Sequence, residues 1–389
     1  MEKLILKSGR ERSLVNRHPW VFSGAVKTLP KSENGDIVEV LTNHNELLGY
    51  GFFSPNSQIT CRVFEFTSEH ISLDHNFWKN KIKRAFELRK KFIDENETNI
   101  YRLLHAEGDF FPGVIIDVYA GVAVVQLLTR GTENIKHIIY EALTELGFAH
   151  IYNKTKSSTQ RFEEVTTESA WVAKPHIMPV ECIENGIKFL VDVEKGQKTG
   201  FFIDQRENRK TLGEFSKGKK VLNTFCYSGG FSLYALEAGA ELVHSVDSSK
   251  DAIEMCDRNV EANFPNTNHQ SFVADVFDYL KQTEIDYDIM VLDPPAFAKN
   301  ARAVQNAARG YKNLNLTAFN KIKPGGVIFT FSCSQHIDRD LFRKIIFGAA
   351  ADAKRNVRIL KQLTQPADHP INIFHPEGEY LKGLMLYVE

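Results

Sequence analysis

From about residue 181 onward, short apolar runs alternate with longer amphipathic stretches, and this alternation restricts the possible folds more than any other feature. Apolar runs of strand length occupy residues 220–223, 242–247, 271–274, 289–293 and 327–332. Strands that alternate with helices in this way form a doubly wound parallel sheet with helices on both faces. Two later runs, 357–363 and 384–388, are expected to pair antiparallel. The sequence therefore predicts an α/β domain over residues 181–389.

Two smaller regions precede this domain. Residues 1–70 contain short runs of strand character separated by turns, and residues 36–40 alternate polar and apolar side chains like a half-buried strand. This spacing predicts a small β-barrel, and basic residues interleaved with aromatic ones suit such a barrel to RNA. Residues 71–180 begin with a basic helix from Phe77 to about Ile93 and continue with a predicted hairpin and a second helix. We interpret them as a small α+β domain.

The overall composition excludes several classes of protein. The chain has 389 residues, of which 43% are hydrophobic and 25% charged, as is usual for a globular protein with a sizeable core. No apolar run reaches the length of a membrane span, and the beginning of the sequence lacks the apolar centre of a signal peptide. Cysteines follow neither a disulfide framework nor a zinc-binding pattern, so no metal is predicted. We therefore expect a cytoplasmic protein without a membrane partner.

Basic residues are unevenly distributed along the chain. The net charge of −1 gives no overall attraction to nucleic acid, but lysines and arginines crowd the predicted helix at 77–93 and the start of the sequence. A charge run is often only the solvated face of a helix. Interpreted as an RNA-binding surface, the two clusters predict phosphate contacts from Arg10, Arg12, Lys79, Lys83 and Arg84.

A glycine-containing turn follows the first strand of the α/β domain. The run from Val221 to Ser232 contains a strand, a turn with Ser228 and Gly229, and the start of a helix, whose free N–H groups can bind an anion. About 20 residues later, Asp247 ends the second strand, where an acid can accept hydrogen bonds from the two hydroxyls of a ribose. This arrangement predicts a nucleotide-like cofactor.

Two further acids follow strands. Asp275 comes after the third strand, where a carboxylate can accept a hydrogen bond from an adenine amino group, and Asp293 comes after the fourth. Asp247 and Asp275 could instead cap the N-termini of helices. The set fits either S-adenosylmethionine or a dinucleotide. Since the full Gly-x-Gly-x-x-Gly spacing is absent, the dinucleotide is the weaker of the two interpretations.

The loop after the fourth strand reads Asp293-Pro294-Pro295-Ala296-Phe297. Proline fixes its own φ and lacks a backbone donor, so this loop is rigid. Asp293 lies at the carboxyl end of a strand, where open α/β sheets bind ligands, and Phe297 offers a ring on which a base could stack. The pattern is typical of an enzyme that acts on an amino group or ring of a nucleobase. A plain strand-to-helix turn would have the same sequence.

Three longer motifs resemble those of a known family. Residues 197–206 (Gln-Lys-Thr-Gly-Phe-Phe-Ile-Asp-Gln-Arg), 309–315 (Arg-Gly-Tyr-Lys-x-Leu-Asn) and 377–384 (Glu-Gly-Glu-Tyr-Leu-Lys-Gly-Leu) resemble segments of bacterial 23S rRNA methyltransferases of the cytosine-C5 type, which are class I S-adenosylmethionine-dependent enzymes. The resemblance covers nearly the whole chain, because residues 1–70 are similar to a PUA domain, an RNA-binding barrel. It implies a seven-stranded Rossmann-like methyltransferase domain whose final strand is antiparallel. This domain is preceded by a small α+β domain and a PUA-type β-barrel.

The resemblance also implies ligands and the residues that bind them. The cofactor is expected to be S-adenosyl-L-methionine, and the partner 23S rRNA, either naked or in an early assembly intermediate. The residues expected at the cofactor are Lys198, Thr199, Phe201, Asp204, Arg206, Asn223, Phe225, Tyr227, Ser228, Gly229, Asp247, Ser248, Asp275, Val276 and Asp293. Besides the basic residues named above, those expected at the RNA are Phe297, Arg309, Tyr311 and Lys312.

Cys333 lies in a Ser-Cys-Ser element at the end of the fifth strand, beside the Asp293 loop of a doubly wound sheet. Carbon 5 of cytosine is a poor nucleophile, so an enzyme must first add a thiolate to carbon 6. The element matches that of the family, which implies that Cys333 is the nucleophile and that Asp293 assists at ring nitrogen 3. A free cysteine can also be a small buried residue. Cys226 is a second candidate thiol, although its place in the turn suggests packing against the cofactor.

Other functions stay open at this point. Many RNA cytosine-C5 methyltransferases carry a second cysteine beside the proline-containing loop, where this chain has Pro295-Ala296. A guanine or exocyclic-amine RNA methyltransferase would need no nucleophile and would rely on proximity and alignment. A non-catalytic RNA-binding assembly factor could keep the fold but would have no use for the strand-end acids and Cys333. A nicotinamide oxidoreductase fits least well. A homodimer is compatible with the sequence.

Overall fold

The computed structural model of the protein describes residues 1–156, 160–161, 163–298 and 300–389. The chain divides into two compact units. The first unit contains residues 1–183, 191–203 and 367–378, and the second contains residues 184–190, 204–366 and 379–389. Because the chain passes between the units several times, neither unit is a continuous piece of sequence.

A six-stranded mixed sheet opens the first unit. Its strands are β1 (Lys3–Leu6), β2 (Trp20–Phe22), β3 (Val26–Thr28), β4 (Ile37–Leu41), β5 (Leu47–Phe53) and β6 (Ile59–Phe66). Their order is β2-β6-β5-β4-β1-β3, with β1 parallel to β4 and the other neighbours antiparallel. A short helix, α1 (Arg12–Val15), follows β1 in the chain. Strand β4 confirms the strand that the alternation at residues 36–40 predicts.

A five-stranded sheet follows in the same unit. Its strands are β7 (Ile100–His105), β8 (Val114–Tyr119), β9 (Val122–Leu127), β10 (His150–Asn153) and β11 (Ala170–Trp171), in the order β11-β10-β9-β8-β7. Strands β8 and β9 form the predicted hairpin, whose two turn residues, Ala120 and Gly121, both have positive φ (47° and 85°). Such a turn matches the right-handed twist of the strands that it joins.

Three further helices of the first unit pack on this second sheet. They are α2 (His75–Arg89), α3 (Arg130–Asn134) and α4 (Lys136–Glu145). Helix α2 lies earlier than the predicted 77–93 because Asp74 caps it, with Oδ1 accepting a hydrogen bond from the backbone N–H of Phe77 (3.0 Å). Its buried face, including Trp78 and Ile82, joins a core with Leu104 and Ile116 of the sheet.

The second unit is built on a seven-stranded sheet. Two short strands, β12 (Val180–Glu184) and β13 (Ile187–Val191), precede it where the chain passes between the units. The sheet contains β14 (Lys220–Thr224), β15 (Leu242–Asp247), β16 (His269–Val273), β17 (Ile289–Leu292), β18 (Gly326–Ser332), β19 (Val357–Leu363) and β20 (Lys382–Val388). Their order is β16-β15-β14-β17-β18-β20-β19. Strand β20 runs antiparallel to both of its neighbours, and the other neighbours are parallel.

This topology confirms the predicted Rossmann-like domain with an antiparallel final strand. The helices of the second unit are α5 (Arg206–Ser216), α6 (Gly230–Glu237), α7 (Lys250–Asn263), α8 (Val276–Gln282), α9 (Val304–Lys321) and α10 (Arg339–Ala353). Leu222, Met290, Ile328 and Leu386, on four neighbouring strands, are fully buried and belong to one core with residues of these helices. Within the described ranges, no helix is both long enough and apolar enough to cross a membrane.

Candidate active site

The predicted site residues of the second unit meet at one edge of the seven-stranded sheet. Strands β14 to β18 are parallel neighbours, so their carboxyl ends lie along the same edge, where open α/β sheets bind ligands. Asp247 ends β15, Asp275 follows β16, Asp293 follows β17 and Cys333 follows β18. The sheet therefore places three acids and a thiol in one row beside the turn that follows β14.

That turn, residues 225–229, which we call the cofactor turn, has a strained backbone. Phe225 and Tyr227 have positive φ (53° and 47°), which costs a non-glycine residue about 1–3 kcal/mol and is most often found at functional sites. Hydrogen bonds to β15 hold the turn: the N–H of Cys226 donates to the carbonyl oxygen of Val246, and the N–H of Tyr227 to Oδ2 of Asp247, both at 3.0 Å. The strain is thus maintained by the neighbouring strand.

Gly229 ends the cofactor turn at the start of α6. Its φ of 82° is in the left-handed region, and a Cβ atom there would lie 2.5 Å from Sγ of Cys256. No side chain caps this end of α6, so the first N–H groups of the helix remain available to a ligand's oxygen atoms. The carbonyl oxygen of Ser228 accepts a hydrogen bond from Nδ2 of Asn259 (2.9 Å), which holds the turn from the other side.

The carboxylate of Asp247 is fixed by two backbone donors. Oδ2 accepts the hydrogen bond from Tyr227 described above, and Oδ1 accepts one from the N–H of Ser249 (2.9 Å). Each carboxylate oxygen can accept a second hydrogen bond, and the side chain is only half-buried. Asp247 is therefore oriented in advance and can still accept from the hydroxyls of a ribose. Ser248, beside it, is exposed.

Asp275 has the helix-capping role that the sequence left open. Its Oδ1 accepts hydrogen bonds from the N–H groups of Phe277 (2.8 Å) and Asp278 (3.2 Å) at the start of α8. The side chain is exposed, and Oδ2 makes no hydrogen bond with any residue that the structure describes. The cap fixes the carboxylate and leaves one oxygen for a ligand, so capping does not exclude a cofactor contact. Val276, next to it, is buried.

The Asp293 loop is held against helix α9 and against the segment after β18. Oδ2 of Asp293 accepts a hydrogen bond from Nε2 of Gln205 (3.0 Å). The ring of Phe297 packs on that of Tyr311, with centroids 4.6 Å apart, and a Cβ atom on Gly310 would lie 3.1 Å from Cδ2 of Phe297. Phe297 is half-buried, so part of its ring can still contact another molecule.

The Ser-Cys-Ser element after β18 presents its cysteine and buries its serines. Ser332 and Ser334 are fully buried, whereas Cys333 is partly exposed. Ser334 Oγ lies 2.9 Å from the hydroxyl of Tyr311 and accepts a hydrogen bond from the N–H of Ala298 (3.1 Å). These contacts connect the Asp293 loop, helix α9 and the segment that carries Cys333, so the thiol has a defined position at the edge of the sheet.

Lys382, at the start of β20, is a site residue that the sequence reasoning missed. Its side chain is buried, and Nζ donates hydrogen bonds to the carbonyl oxygens of Ser334 and Tyr380, each at 2.7 Å. Burial lowers the pKa of Lys382 to about 8. The available signal was a lysine directly before the apolar residues of β20; in the strand pairing it lies opposite Ser332. Such a residue is costly to bury without a specific partner.

The rival thiol, Cys226, is a poor candidate for the nucleophile. Its side chain is buried, and burial together with the interaction with Cys256 raises the pKa of Cys226 well above the ordinary value. The hydrogen bond from Cys226 and the nearby His269 lower the pKa of Cys256. Ligand atoms of Cys256, Asp257 and His269 lie within 4.8 Å of one another and could hold a cation. Nε2 of His269 is already 2.8 Å from Oγ of Ser245, which favours a hydrogen-bonding role.

Three predicted cofactor residues belong to the first unit. Thr199 is buried, and its Oγ1 donates a hydrogen bond to Oδ2 of Asp117 (2.5 Å) and lies 2.8 Å from the hydroxyl of Tyr119. Phe201 is also buried, with its N–H donating to the same hydroxyl (3.2 Å). Lys198 has a positive φ of 51°, and its Nζ lies 4.3 Å from the centroid of the Phe202 ring. The sequence reasoning missed Asp117 and Tyr119.

Asp204, Arg206 and Asn223, in the second unit, are buried. Oδ2 of Asp204 accepts a hydrogen bond from the hydroxyl of Tyr380 (2.8 Å). Nδ2 of Asn223 donates to Oγ of Ser232 (2.9 Å), and Nε of Arg206 lies 3.3 Å from Oε1 of Glu207. The hydrogen bonds of Asp204 and Asn223 join elements of the unit.

The predicted RNA-binding residues differ in how accessible their charges are. Arg10, Arg12, Lys83 and Arg84 are exposed. Nζ of Lys79 lies 2.8 Å from carboxylate oxygens of both Glu141 and Glu145 on helix α4, so its charge is largely neutralised within the protein. The basic helix thus presents fewer free charges than its sequence suggests.

The three predicted RNA contacts on helix α9 also differ. Arg309 is exposed, whereas Nζ of Lys312 forms an ion pair with Asp352 (2.7 Å). Tyr311 is fully buried, and burial raises the pKa of its hydroxyl, which is hydrogen-bonded with Ser334. In this position Tyr311 supports Phe297 and Ser334 and does not itself face solvent.

Comparisons with known proteins agree with this geometry. A family model described as S-adenosylmethionine-dependent methyltransferase matches residues 101–375. A second model, described as a PUA-like domain, matches residues 4–66. The match at residues 4–66 agrees with the PUA-type barrel that the resemblance implies.

Relatives and solved structures match over the whole length. The protein named Ribosomal RNA large subunit methyltransferase I from Shewanella frigidimarina is 42% identical over 394 residues, covering 99% of both chains. The protein of that name from Alteromonas mediterranea is 39% identical and covers 99% of this chain and 98% of its own. A Streptococcus mutans structure assigned as a SAM-dependent methyltransferase matches with a TM-score of 0.86 and 26% sequence identity. A methyltransferase structure complexed with SAH matches with a TM-score of 0.88 and 27% sequence identity. Each match covers 100% of both chains.

Proposed function

We propose, from the premise that this chain belongs to the S-adenosylmethionine-dependent methyltransferases, that it methylates carbon 5 of a cytosine in the RNA of the large ribosomal subunit. S-adenosyl-L-methionine is the cofactor of the family, as the sequence predicts. The RNA substrate is supported by relatives named Ribosomal RNA large subunit methyltransferase I, which are up to 42% identical to this chain over 99% of its length. Carbon 5 of cytosine and the mechanism below are supported by the site itself.

One observation carries the choice of cytosine carbon 5. The Ser-Cys-Ser element buries both serines and leaves Cys333 partly exposed, at the same sheet edge as Asp293. A direct methyl transfer to a nitrogen atom would not need a thiol there, because an amine already has a nucleophilic lone pair. Attack through carbon 5 of a pyrimidine does need one. The arrangement therefore favours covalent catalysis.

The proposed reaction proceeds through an adduct on Cys333. The cofactor supplies an electrophilic methyl group bound to a sulfonium sulfur. The Cys333 thiolate adds to carbon 6 of the cytosine, which forms a carbon–sulfur bond and moves ring electrons to carbon 5. Carbon 5 would then take the methyl group, the bond from methyl carbon to sulfonium sulfur would break with its electron pair, and the sulfur would leave as a neutral thioether. A base then removes the proton from carbon 5, the double bond between carbons 5 and 6 forms again, and the thiolate leaves.

Asp293 and Phe297 have supporting roles in this proposal. Asp293 hydrogen bonds or protonates ring nitrogen 3, which makes carbon 6 more electrophilic, and Gln205 fixes its carboxyl group through the 3.0 Å hydrogen bond to Oδ2. Phe297 stacks on the flipped base with the exposed part of its ring. The rigid prolines between them set the distance from the carboxyl group to the ring.

The other residues expected at the site have positioning and binding roles in the same proposal. The start of α6 would receive the carboxylate end of the cofactor, Asp247 its ribose and Asp275 its adenine, and the other predicted cofactor residues of the second unit would line the same site. Residues 1–70 act as an RNA-binding barrel and 71–180 as a small second domain before the methyltransferase domain at 181–389. Arg10, Arg12, Lys83, Arg84 and Arg309 contact phosphates of naked or early-assembling 23S rRNA.

Nucleoside mass spectrometry tests this function. Unmodified ribosomal RNA is incubated with the purified protein and S-adenosylmethionine labelled in its methyl group, and the RNA is digested to nucleosides. We expect label in 5-methylcytidine, with Cys333→Ala abolishing transfer while leaving the calorimetric affinity for S-adenosylhomocysteine unchanged. Cys182→Ala, at a buried cysteine outside the site, is the matched control. Label in a methylguanosine or an N-methylated base, with full activity of Cys333→Ala, would refute the covalent mechanism.

A further inference from the structure

Lys382 contacts the residues that precede and follow the candidate nucleophile. It lies at the start of β20 and pairs with Ser332, the residue before Cys333. Only 3% of its surface is exposed, and its ammonium group donates to the carbonyl oxygen of Ser334, the residue after Cys333. A second hydrogen bond, to the carbonyl oxygen of Tyr380, fixes the group further. The backbone of Lys382 is thus paired with the residue before Cys333, and its ammonium is bound to the residue after it.

The charges around Lys382 make Cys333 its principal anionic partner. Burial lowers the pKa of Lys382 to about 8, and a thiolate at Cys333 is the strongest of the surrounding charges that raise it again. The other charged groups nearby are Glu379, Asp338, Arg339, Asp340 and Arg343. Arg339 forms an ion pair with Glu379, so these two largely cancel. Tyr311, which also interacts electrostatically with Cys333, has its pKa raised by burial and stays neutral.

The interaction between the two groups is necessarily reciprocal. If a thiolate at Cys333 stabilises the ammonium form of Lys382, the ammonium stabilises the thiolate by the same free energy. Cys333 is partly exposed, so the thiolate also keeps contact with water and avoids the full cost of burial. At neutral pH the ammonium form of Lys382 predominates, because the pH is below its pKa of about 8.

We propose that Lys382 is a positioning residue that holds Cys333 as a thiolate before the RNA base arrives. The thiol proton passes to solvent, and no bond to Lys382 forms or breaks. When Sγ adds to carbon 6, the negative charge moves into the base and the ammonium keeps its proton. When the thiolate leaves the methylated product, it returns to the same cation. The catalytic meaning of this ion pair rests on the proposed function, but the ion pair itself does not.

Alkylation of Cys333 without RNA tests the ion pair directly. The full-length protein is treated with iodoacetamide from pH 5 to 10, and peptide mass spectrometry follows Cys333, since the four other cysteines are buried. Lys382→Gln removes the charge but keeps amide donors for the two carbonyl groups, and Lys382→Arg keeps the charge. We expect the midpoint of alkylation to move up by about one pH unit in Lys382→Gln, so that the rate at pH 7 falls about tenfold. Lys382→Arg should restore most of the rate.

Two outcomes would overturn the proposal. One is an unchanged midpoint in a folded Lys382→Gln protein, with folding checked by the thermal unfolding midpoint and by S-adenosylhomocysteine affinity. The other applies even if neither variant folds: a wild-type midpoint at or above that of a free thiol, about pH 8.5, would show that no cation stabilises the thiolate. Methyl transfer is measured separately. If Cys333→Ala retains full transfer, the proposed function fails, whereas the alkylation profile still decides whether the ion pair exists.

Discussion

Replacing Gly229 with alanine should both destabilise the second unit and weaken cofactor binding. The φ of 82° at this position costs an L-residue about 1–2 kcal/mol. The added Cβ would lie 2.5 Å from Sγ of Cys256 and 3.2 Å from Cδ1 of Leu233. Relieving such overpacking in a core costs about 1–3 kcal/mol. We therefore expect the free energy of unfolding to fall by about 2–5 kcal/mol for Gly229→Ala, the sum of the two costs.

Helix α6 provides its own matched control. Gly239, just after the other end of the helix, has almost the same φ (80°), but a Cβ there would meet no atom within 4 Å. Gly239→Ala should therefore cost only the backbone strain, about 1–2 kcal/mol. Cys256→Ala combined with Gly229→Ala should recover much of the steric cost, because it removes the nearest obstructing atom. Each single variant is needed to complete this double-mutant cycle.

Urea unfolding and calorimetry separate the two effects. Urea gives the free energy of unfolding of the four variants, and titration with S-adenosylhomocysteine gives the affinity. We expect Gly229→Ala to lose more than about tenfold in affinity, equal to about 1.4 kcal/mol, since the start of α6 must move. Gly239→Ala should bind normally. If Gly229→Ala and Gly239→Ala were equally stable and bound equally well, the steric argument and the place of the cofactor turn in binding would both be refuted.

Three further predictions concern other parts of the chain. Although burial alone would raise the pKa of Glu133, hydrogen bonds from threonines lower it to about 2. The ionised carboxylate therefore stabilises the fold fully above about pH 5, and this stabilisation is lost as the pH falls toward 2. The loss of unfolding free energy caused by Glu133→Gln, measured in urea, should shrink over that range. The double variant Lys83→Ala/Arg84→Ala should reduce the slope of log binding constant against log salt concentration by about 1.5. Lys79→Ala should reduce it much less, because Lys79 is already paired with two glutamates. Tyr311→Phe should slow methyl transfer about fivefold at unchanged cofactor affinity, because it loses a hydrogen bond worth about 1 kcal/mol. An unchanged rate would contradict the role of Tyr311 in holding the Asp293 loop.

Features that depend on local periodicity could be read from the sequence. The parallel strands of the second unit, the hairpin β8–β9 and the antiparallel pairing of the last two strands all follow from apolar runs and turn residues. Since carboxyl ends of parallel strands meet at one edge, the row of Asp247, Asp275, Asp293 and Cys333 could be predicted as well.

What could not be read from the sequence is which side chains meet across distant segments. Lys382 contacts Ser334 because β20 inserts between β18 and β19, an arrangement that no local pattern specifies. The charge of Lys79 is likewise neutralised by Glu141 and Glu145, which come from another helix. The resemblance implies that Tyr311 contacts RNA, but the residue lies on the buried face of helix α9. Whether a particular residue is buried can therefore be known only from the tertiary structure.

The interleaved segments of the two units limit how this protein can be taken apart. A fragment that starts at residue 184 would contain every part of the second unit, but it would also carry residues 191–203 and 367–378 without the rest of the first. Asp368 is fully buried, and its Oδ2 accepts a hydrogen bond from the N–H of Arg102 (2.9 Å), which such a fragment lacks. Thr199 would likewise lose Asp117. Chimeras that exchange RNA-binding modules between relatives must therefore exchange three stretches of sequence together, and a minimal methyltransferase would need both insertions replaced by designed linkers.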